Sequence, residues 1–316
     1  MRYIFLFLSF PCLLLGQTPK EDASNYIAQK QYVKAQRLMM DYVLEHPSDK
    51  EAIELLADAY GYQKKWDEAI EHYELLKDLE TNNANYHYKY GGALGMKALT
   101  MSKLRALGSI GDIKSSFLKA AELDPKHIDT RWALVELYMT LPGIVGGSKK
   151  KSLKYANELE ALSKVDGYLA KGYIYEYDDE PELAEKYYKM AVKVGGSVTC
   201  YEKLTNLYES QNEPEKAIET IEASQDKHKR NALHYQLGKV SADYNIQLDK
   251  GEQCLLQYIK NYTSADGVPL EWAYYRLAQI YKHKKNSKKA LNYIDRALSL
   301  RSDFKQALKE KAAISK

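Results

Sequence analysis

A four-position pattern recurs along this chain: a small residue, a tyrosine three places on, an alanine nine further, and a bulky side chain four after that. One copy is Ala57, Tyr60, Ala69 and Tyr73. Others are Ala23, Tyr26, Ala35 and Met39; Gly172, Tyr175, Ala184 and Tyr188; and Ala278, Tyr281, Ala290 and Ile294. The period is about 34 residues, the length of a two-helix unit. In the cleanest copy Ile53, Leu56, Ala57 and Tyr60 fall at spacings of three and four, which puts them on one face of a helix. Ala69, Tyr73 and Leu76 do the same on a second helix. Small residues at the Ala57 and Ala69 positions let the two axes approach to about 8–10 Å, and the flanking rings fill the space around the contact. Each pair leaves an apolar face that only its neighbours can cover, so the pattern predicts a continuous stack.

Turn chemistry agrees. Pro47 and Pro125 stand where a second helix must stop, because proline cannot continue it. Pro181 and Pro214 stand at the first position of a second helix, where the missing N–H costs nothing. Asp67-Glu68 and the acids Glu213 and Glu215 sit at helix starts, where the helix dipole favours negative charge.

Period, small-residue spacing and turns together resemble the tetratricopeptide repeat family, over about residues 17–302. The resemblance implies an all-α fold, a right-handed α-solenoid of about eight helix pairs with a C-terminal capping helix. In that register, units begin near residues 16, 50, 84, 128, 165, 198, 231 and 271. Two departures stand out. The third unit delays its second-helix signature to Ile113, Phe117 and Ala120, so extra residues lie within 95–113; Met96, Leu104 and Leu107 recur there at near-helical spacing, which predicts helical extensions. The fourth unit carries a second insertion at 141–152. The seventh is weak, with Gly251 in the alanine position and 239–248 poorly patterned. Residues 303–316 read as the end helix, with Phe304, Ala307 and Leu308 on its apolar side. The two insertions also resemble those of a group of exported bacterial tetratricopeptide proteins.

The first residues change the picture of where the chain works. Arg2 is followed by an apolar run from Tyr3 to Leu15, shorter than the roughly 20 residues a membrane span needs. Residues 1–16 are therefore expected to be a secretory signal cut near Gly16–Gln17, although Leu14 is large for its place before the cut. Lipidation at Cys12 is the competing reading; a lipidated cysteine follows the apolar run, and this one interrupts it. The mature array, 17–316, is then exported, periplasmic or secreted, with no stable membrane insertion after cleavage. Cys200 and Cys254 remain, read as two separate buried thiols with a disulfide as the alternative.

Charge and chemistry narrow the function by exclusion. A net charge of +3, with lysines and carboxylates interleaved, gives no nucleic-acid footprint. The stretch GIVGGSKKKS at 143–152 invites comparison with a phosphate loop, but Ser148 replaces the second required glycine and the preceding WALVELYMT reads as helix. It reads better as a Gly-rich connection into a basic helix start, with an anion contact as the milder functional alternative. The seven histidines are scattered without metal-ligand spacing; His87 occupies a core-facing position and the others read as surface. Carboxylate pairs such as Asp178-Asp179 lie in predicted turns, and no nucleophile–base signature occurs. The expectation is no enzyme, no metal and no cofactor.

In the family, the first helix of each pair lines a concave groove through its second, fifth, ninth and twelfth positions. Carried onto this chain, the resemblance selects Glu54, Asp58, Tyr88, Trp132, Glu136, Tyr173, Glu176, Glu202, Asn206, Glu209, Tyr235 and Tyr275, with Lys239, Trp272 and Lys282 towards the C-terminus. The lysine and asparagine of the family's carboxylate clamp are absent, since Lys20, Ser24, Glu54 and Asp58 hold those places. This groove is expected to take a segment of a protein or peptide partner with basic and apolar side chains; the alternative for the rings is packing between repeats. Rival functions are a solute-binding component of a periplasmic transport system, which a closed aromatic cavity near 95–152 would favour, and a self-assembling structural protein.

Overall fold

The computed structural model describes residues 18–314, so the expected signal at 1–16, with Cys12, lies outside the described residues. Among the described residues there are eighteen α-helices and no strand. The described chain divides into two compact units, with the boundary between residues 148 and 149, within the second insertion.

In the first unit the helices are α1 (Pro19–Ala28), α2 (Tyr32–Glu45), α3 (Lys50–Tyr62), α4 (Trp66–Leu79), α5 (Ala84–Leu99), α6 (Lys103–Leu107), α7 (Ile110–Leu123) and α8 (Ile128–Thr140), followed by a 3-10 turn at Gly143–Val145. The pairs are α1/α2, α3/α4 and α5/α7, and first helices also touch, α1 on α3 and α5 on α8. In the second unit they are α9 (Lys149–Leu162), α10 (Lys164–Tyr177), α11 (Pro181–Val194), α12 (Val198–Ser210), α13 (Pro214–His228), α14 (Asn231–Tyr244), α15 (Leu248–Lys260), α16 (Leu270–His283), α17 (Ser287–Leu300) and α18 (Lys305–Ile314), with a 3-10 turn at Ser264–Asp266. Here α9 packs on α10, and the pairs α10/α11, α12/α13, α14/α15 and α16/α17 follow, closed by α18. First helices begin at 50, 84, 128, 198 and 231, as the register predicts, and within three residues of it elsewhere.

The pattern positions are the core. Ala23, Ala35, Met39, Ala57, Ala69, Ala184, Tyr188, Ala278, Ala290 and Ile294 are wholly buried. At Gly172 even one added carbon would overlap the ring of Tyr188, so this first helix needs glycine where others use alanine. The same reason explains the weak seventh unit: a Cβ at Gly251 would overlap Ser241 on the partner helix. Phe304 and Ala307 of the end segment are fully buried, whereas Leu308 is half-exposed and Ile314 takes part in the contact instead. Cys200 is buried, Cys254 is half-buried, and both are free thiols.

Local chemistry sets the ends. Pro181 and Pro214 open α11 and α13. Asp49, Asn83, Ser163 and Ser197 cap α3, α5, α10 and α12 by accepting backbone N–H bonds. His87 departs from its expected core position: it is half-buried and its Nε2 lies 2.8 Å from the carbonyl oxygen of Thr81, while Tyr86 is the buried neighbour. His127 also does more than cover surface, since its ring caps α8. Arg131 on α8 is buried and donates to the carbonyls of Asp124 and His127 at 3.0 and 3.1 Å, tying the end of α7 to the start of α8. The first insertion is the predicted helical extension, built as three extra residues on α5 and the one-turn α6. The second is the 3-10 turn, Gly146 in the left-handed region at φ +101°, and a lysine start to α9.

Candidate partner-binding face

In the first unit, Glu54 and Asp58 stand one turn apart on α3. Lys89 on α5 reaches both, at 2.6 Å from Glu54 Oε1 and 2.7 Å from Asp58 Oδ1. Asn85 Nδ2 donates to Glu54 at 2.9 Å, and the Tyr73 hydroxyl donates to Asp58 Oδ1 at 2.5 Å. Burial opposes the charge on Lys89, but the two carboxylates outweigh it and hold the ammonium pKa above the ordinary lysine value. Burial, reinforced by Asp58, pushes the Tyr73 phenol far above its usual range. These two acids are thus enclosed in a network of their own repeats. Tyr88 is half-buried, its ring 5.1 Å from His127 and 6.1 Å from Phe117. On α8, Trp132 is half-buried and Glu136 exposed.

The second unit repeats the device. Glu209 on α12 accepts from Lys239 Nζ of α14 at 2.8 and 3.1 Å, and its carbonyl accepts from the Tyr244 hydroxyl at 2.8 Å. Asp243 on α14 pairs with Arg276 of α16, and Lys282 of α16 lies 2.6 Å from Glu310 of α18. Burial raises the pKa of Asp243 even against the pull of Arg276. Glu176 accepts from the Tyr188 hydroxyl at 2.6 Å. Tyr235 and Tyr275 are core residues, with rings 5.4 Å from Tyr258 and 5.4 Å from Phe304, and the half-buried Trp272 ring is 4.6 Å from Phe304.

Two further exposed positions lie on α12, which touches α10. Tyr173 is half-buried with its ring 6.0 Å from that of exposed Tyr177. Glu202 and Asn206, one turn apart on α12, are both exposed. The clearest surface depressions are open and carry no aromatic lining: one runs along Lys149, Lys150, Leu153 and Lys154 of α9, the other along the turn from Leu79 to Ala84 beside Asp124. Among the described residues no group of His, Cys, Asp and Glu could hold a metal ion, and no helix is long and apolar enough to cross a membrane.

Residues 273–304, covering most of α16, α17 and the turn after it, match the tetratricopeptide repeat family. The fold as a whole is similar to that of a tetratricopeptide repeat protein from Parabacteroides merdae, with a TM-score of 0.51 and 12% identity over 94% of this chain and 98% of that one. This chain has the fold of a tetratricopeptide repeat solenoid. Other similar structures are a tetratricopeptide repeat protein of Thermus thermophilus (16% identity, TM-score 0.44, 70% of this chain and 96% of that one) and YrrB, described as having an unusual peptide-binding site (18%, 0.44, 62% and 97%). No curated protein matches the chain. The fold is consistent with a protein–protein interaction scaffold, and tetratricopeptide repeats typically bind protein or peptide partners.

Within the repeats, the positions selected from sequence therefore separate into enclosed acids (Glu54, Asp58, Glu176, Glu209), core rings (Tyr235, Tyr275) and surface groups (Glu136, Glu202, Asn206), with Tyr88, Trp132 and Tyr173 between. Sequence reading did not pick Lys89, Asp243 or Arg276, which pair across successive first helices, nor Tyr177. The signal was there: opposite charges recur one repeat apart, with separations of 31, 30 and 33 residues for Asp58–Lys89, Glu209–Lys239 and Asp243–Arg276.

Proposed function

We propose that this protein is an exported, non-catalytic scaffold that holds a segment of a partner protein on the α10–α12 face. The observation carrying the reading is the contrast on that face. Glu209 is neutralised by Lys239 and Glu176 accepts from the Tyr188 hydroxyl, whereas Glu202 and Asn206 are exposed and engaged by no side chain among the described residues. An exposed amide offers both a donor and an acceptor, which suits the backbone of an extended segment. Glu202 supplies orientation and on-rate for a basic side chain, and the Tyr173–Tyr177 pair offers an amphipathic platform for an apolar or aromatic anchor. In the first unit half-buried Tyr88 and Trp132 and exposed Glu136 make a comparable surface. Export is supported by Arg2 and the apolar run Tyr3–Leu15.

The test replaces Tyr173→Ala, Glu202→Lys and Asn206→Ala together and compares proteins captured from the source cells by the variant and the parent. Anchors of this kind are worth about 2 kcal/mol each, so recovery of a true partner should fall by an order of magnitude or more. Equal recovery of every captured protein refutes the face. Export is checked separately: protein recovered from fractionated cells should begin at Gln17.

A further inference from the structure

The first two pairs join their helices through tight turns at 29–31 and 63–65, whereas the third and fourth repeats enlarge the same connection to 100–109 and 141–148. Because the helices alternate in direction, all four connections lie at one end of the first unit. The second enlarged connection also comes within reach of the helix that follows the first: Gly146 sits beside the Lys114 ammonium of α7. Both point apolar side chains outward. Leu99 and Leu104 are each 80% exposed, Leu107 is half-exposed, and Ile144 is 97% exposed. A repeat edge that only needed to turn would use polar residues here, as the short turns Gln29–Gln31 and Gln63–Lys65 do.

Charge selects the occupant. From Thr81 to Gly111, and again from Leu137 to Ser148, there is no Asp or Glu, in a chain with 43 of them. The cations of the first stretch divide by position: Lys89 and Lys97 are paired back into the repeats, with Asp58 and Asp67. Lys103 and Arg105, on α6 between the exposed leucines, have no carboxylate partner among the described residues, and neither does Lys114. Apolar tips that project outward, set among unpaired cations, with Asp112 at the start of α7 as the first acid after the stretch, match a surface that is anionic at its face and hydrocarbon beneath. A protein groove receiving these tips would not require the removal of every acid from two separate connections.

We propose that the enlarged connections of the third and fourth repeats dock this protein onto an anionic lipid bilayer, with Leu99, Leu104 and Ile144 inserted at the interface and Lys103 and Arg105 at the headgroups. This edge shares no residue with the α10–α12 face, so either proposal can fail alone. The test is hydrogen exchange of the full chain with phosphatidylglycerol vesicles, read peptide by peptide, so that lipid contact by the N-terminal run does not count. Exchange at 97–109 and 141–148 should slow about tenfold, as for amides moved into an interface. Leu104→Ser with Ile144→Ser should abolish the slowing without changing the helical circular dichroism, because both side chains are already exposed. Lys103→Glu with Arg105→Glu should abolish it at low salt as well. Unchanged exchange on phosphatidylglycerol, or equal slowing on phosphatidylcholine vesicles, overturns the proposal.

Discussion

Tyrosine outnumbers phenylalanine by 28 to 5, and the structure gives the reason side chain by side chain. A buried ring fills the space between helices, and its hydroxyl reaches a carboxylate at the rim of the contact. Tyr73 donates to Asp58, Tyr188 to Glu176 at 2.6 Å, Tyr208 to Glu185 at 2.8 Å, and Tyr281 to Glu252. Phenylalanine would fill the same volume and leave each acid with one donor fewer. For Tyr73 and Tyr188, burial first and the adjacent carboxylate second push the phenol pKa well above 10.0. A folded pKa above the unfolded one means that the stabilisation is complete below pH 10 and is lost as pH rises beyond it. Tyr73→Phe with Tyr188→Phe should therefore cost about 1 kcal/mol per hydroxyl at pH 8. The same variant should lose less of its thermal midpoint than the parent between pH 10 and 11.5. Thermal melts across that range check both signs, and parallel pH profiles would remove the tyrosine–acid pairs as the cause.

Between elements, the charges on successive first helices behave as clasps. Arg276 of α16 is largely buried and donates to Asp243 of α14 and, at 2.8 Å, to Gln279. Removing one partner of such a pair strands the other, and for fully buried pairs this costs about 3–5 kcal/mol. Asp243 keeps 31% of its side-chain surface, so Arg276→Met should cost nearer 2 kcal/mol at pH 7.5, after discounting for solvent. Adding Asp243→Asn should return most of that loss. Because burial holds the Asp243 pKa above its unfolded value, and losing Arg276 raises it further, Arg276→Met should recover stability as pH falls toward that pKa. Urea titrations at pH 5 and 7.5 decide it. This clasp also marks where sequence reading stopped. Helix pairing was legible in Ala57, Ala69, Gly172 and Tyr188, because a notch and the ring that fills it are separate residue types at fixed spacing. Which face residues remain open was not, because Glu202 and Glu209 are the same residue type on one helix, and only the position of Lys239 thirty residues on distinguishes them. The first insertion was legible as helical extensions from Met96, Leu104 and Leu107, but its exposure depends on what the neighbouring repeats leave uncovered.

At the scale of a whole unit, each pair of 149–316 touches chiefly its neighbours, so stability should be graded along the stack. The end helix makes this measurable. Phe304 and Ala307 seal the last pair: the Phe304 ring lies 4.6 Å from Trp272 and 5.4 Å from Tyr275, and Glu310 of α18 holds Lys282 of α16. Ending the chain at Asp303 removes all of these contacts and leaves Ile294 and Ala297 of α17 facing water. Deleting a buried phenylalanine alone costs about 3–5 kcal/mol, a large share of what any one repeat interface can hold. If coupling is carried pair by pair, native-state hydrogen exchange of the truncated chain should show protection collapsing in α16 and α17, falling partway in α14 and α15, and surviving in α10 to α13. Phe304→Ala in the full-length chain should show the same gradient at smaller amplitude, which separates loss of the seal from loss of chain length. A uniform drop across α10 to α17 would mean that the unit opens as one block, and that ion pairs such as Glu209–Lys239 and Asp243–Arg276 transmit the loss further than nearest neighbours.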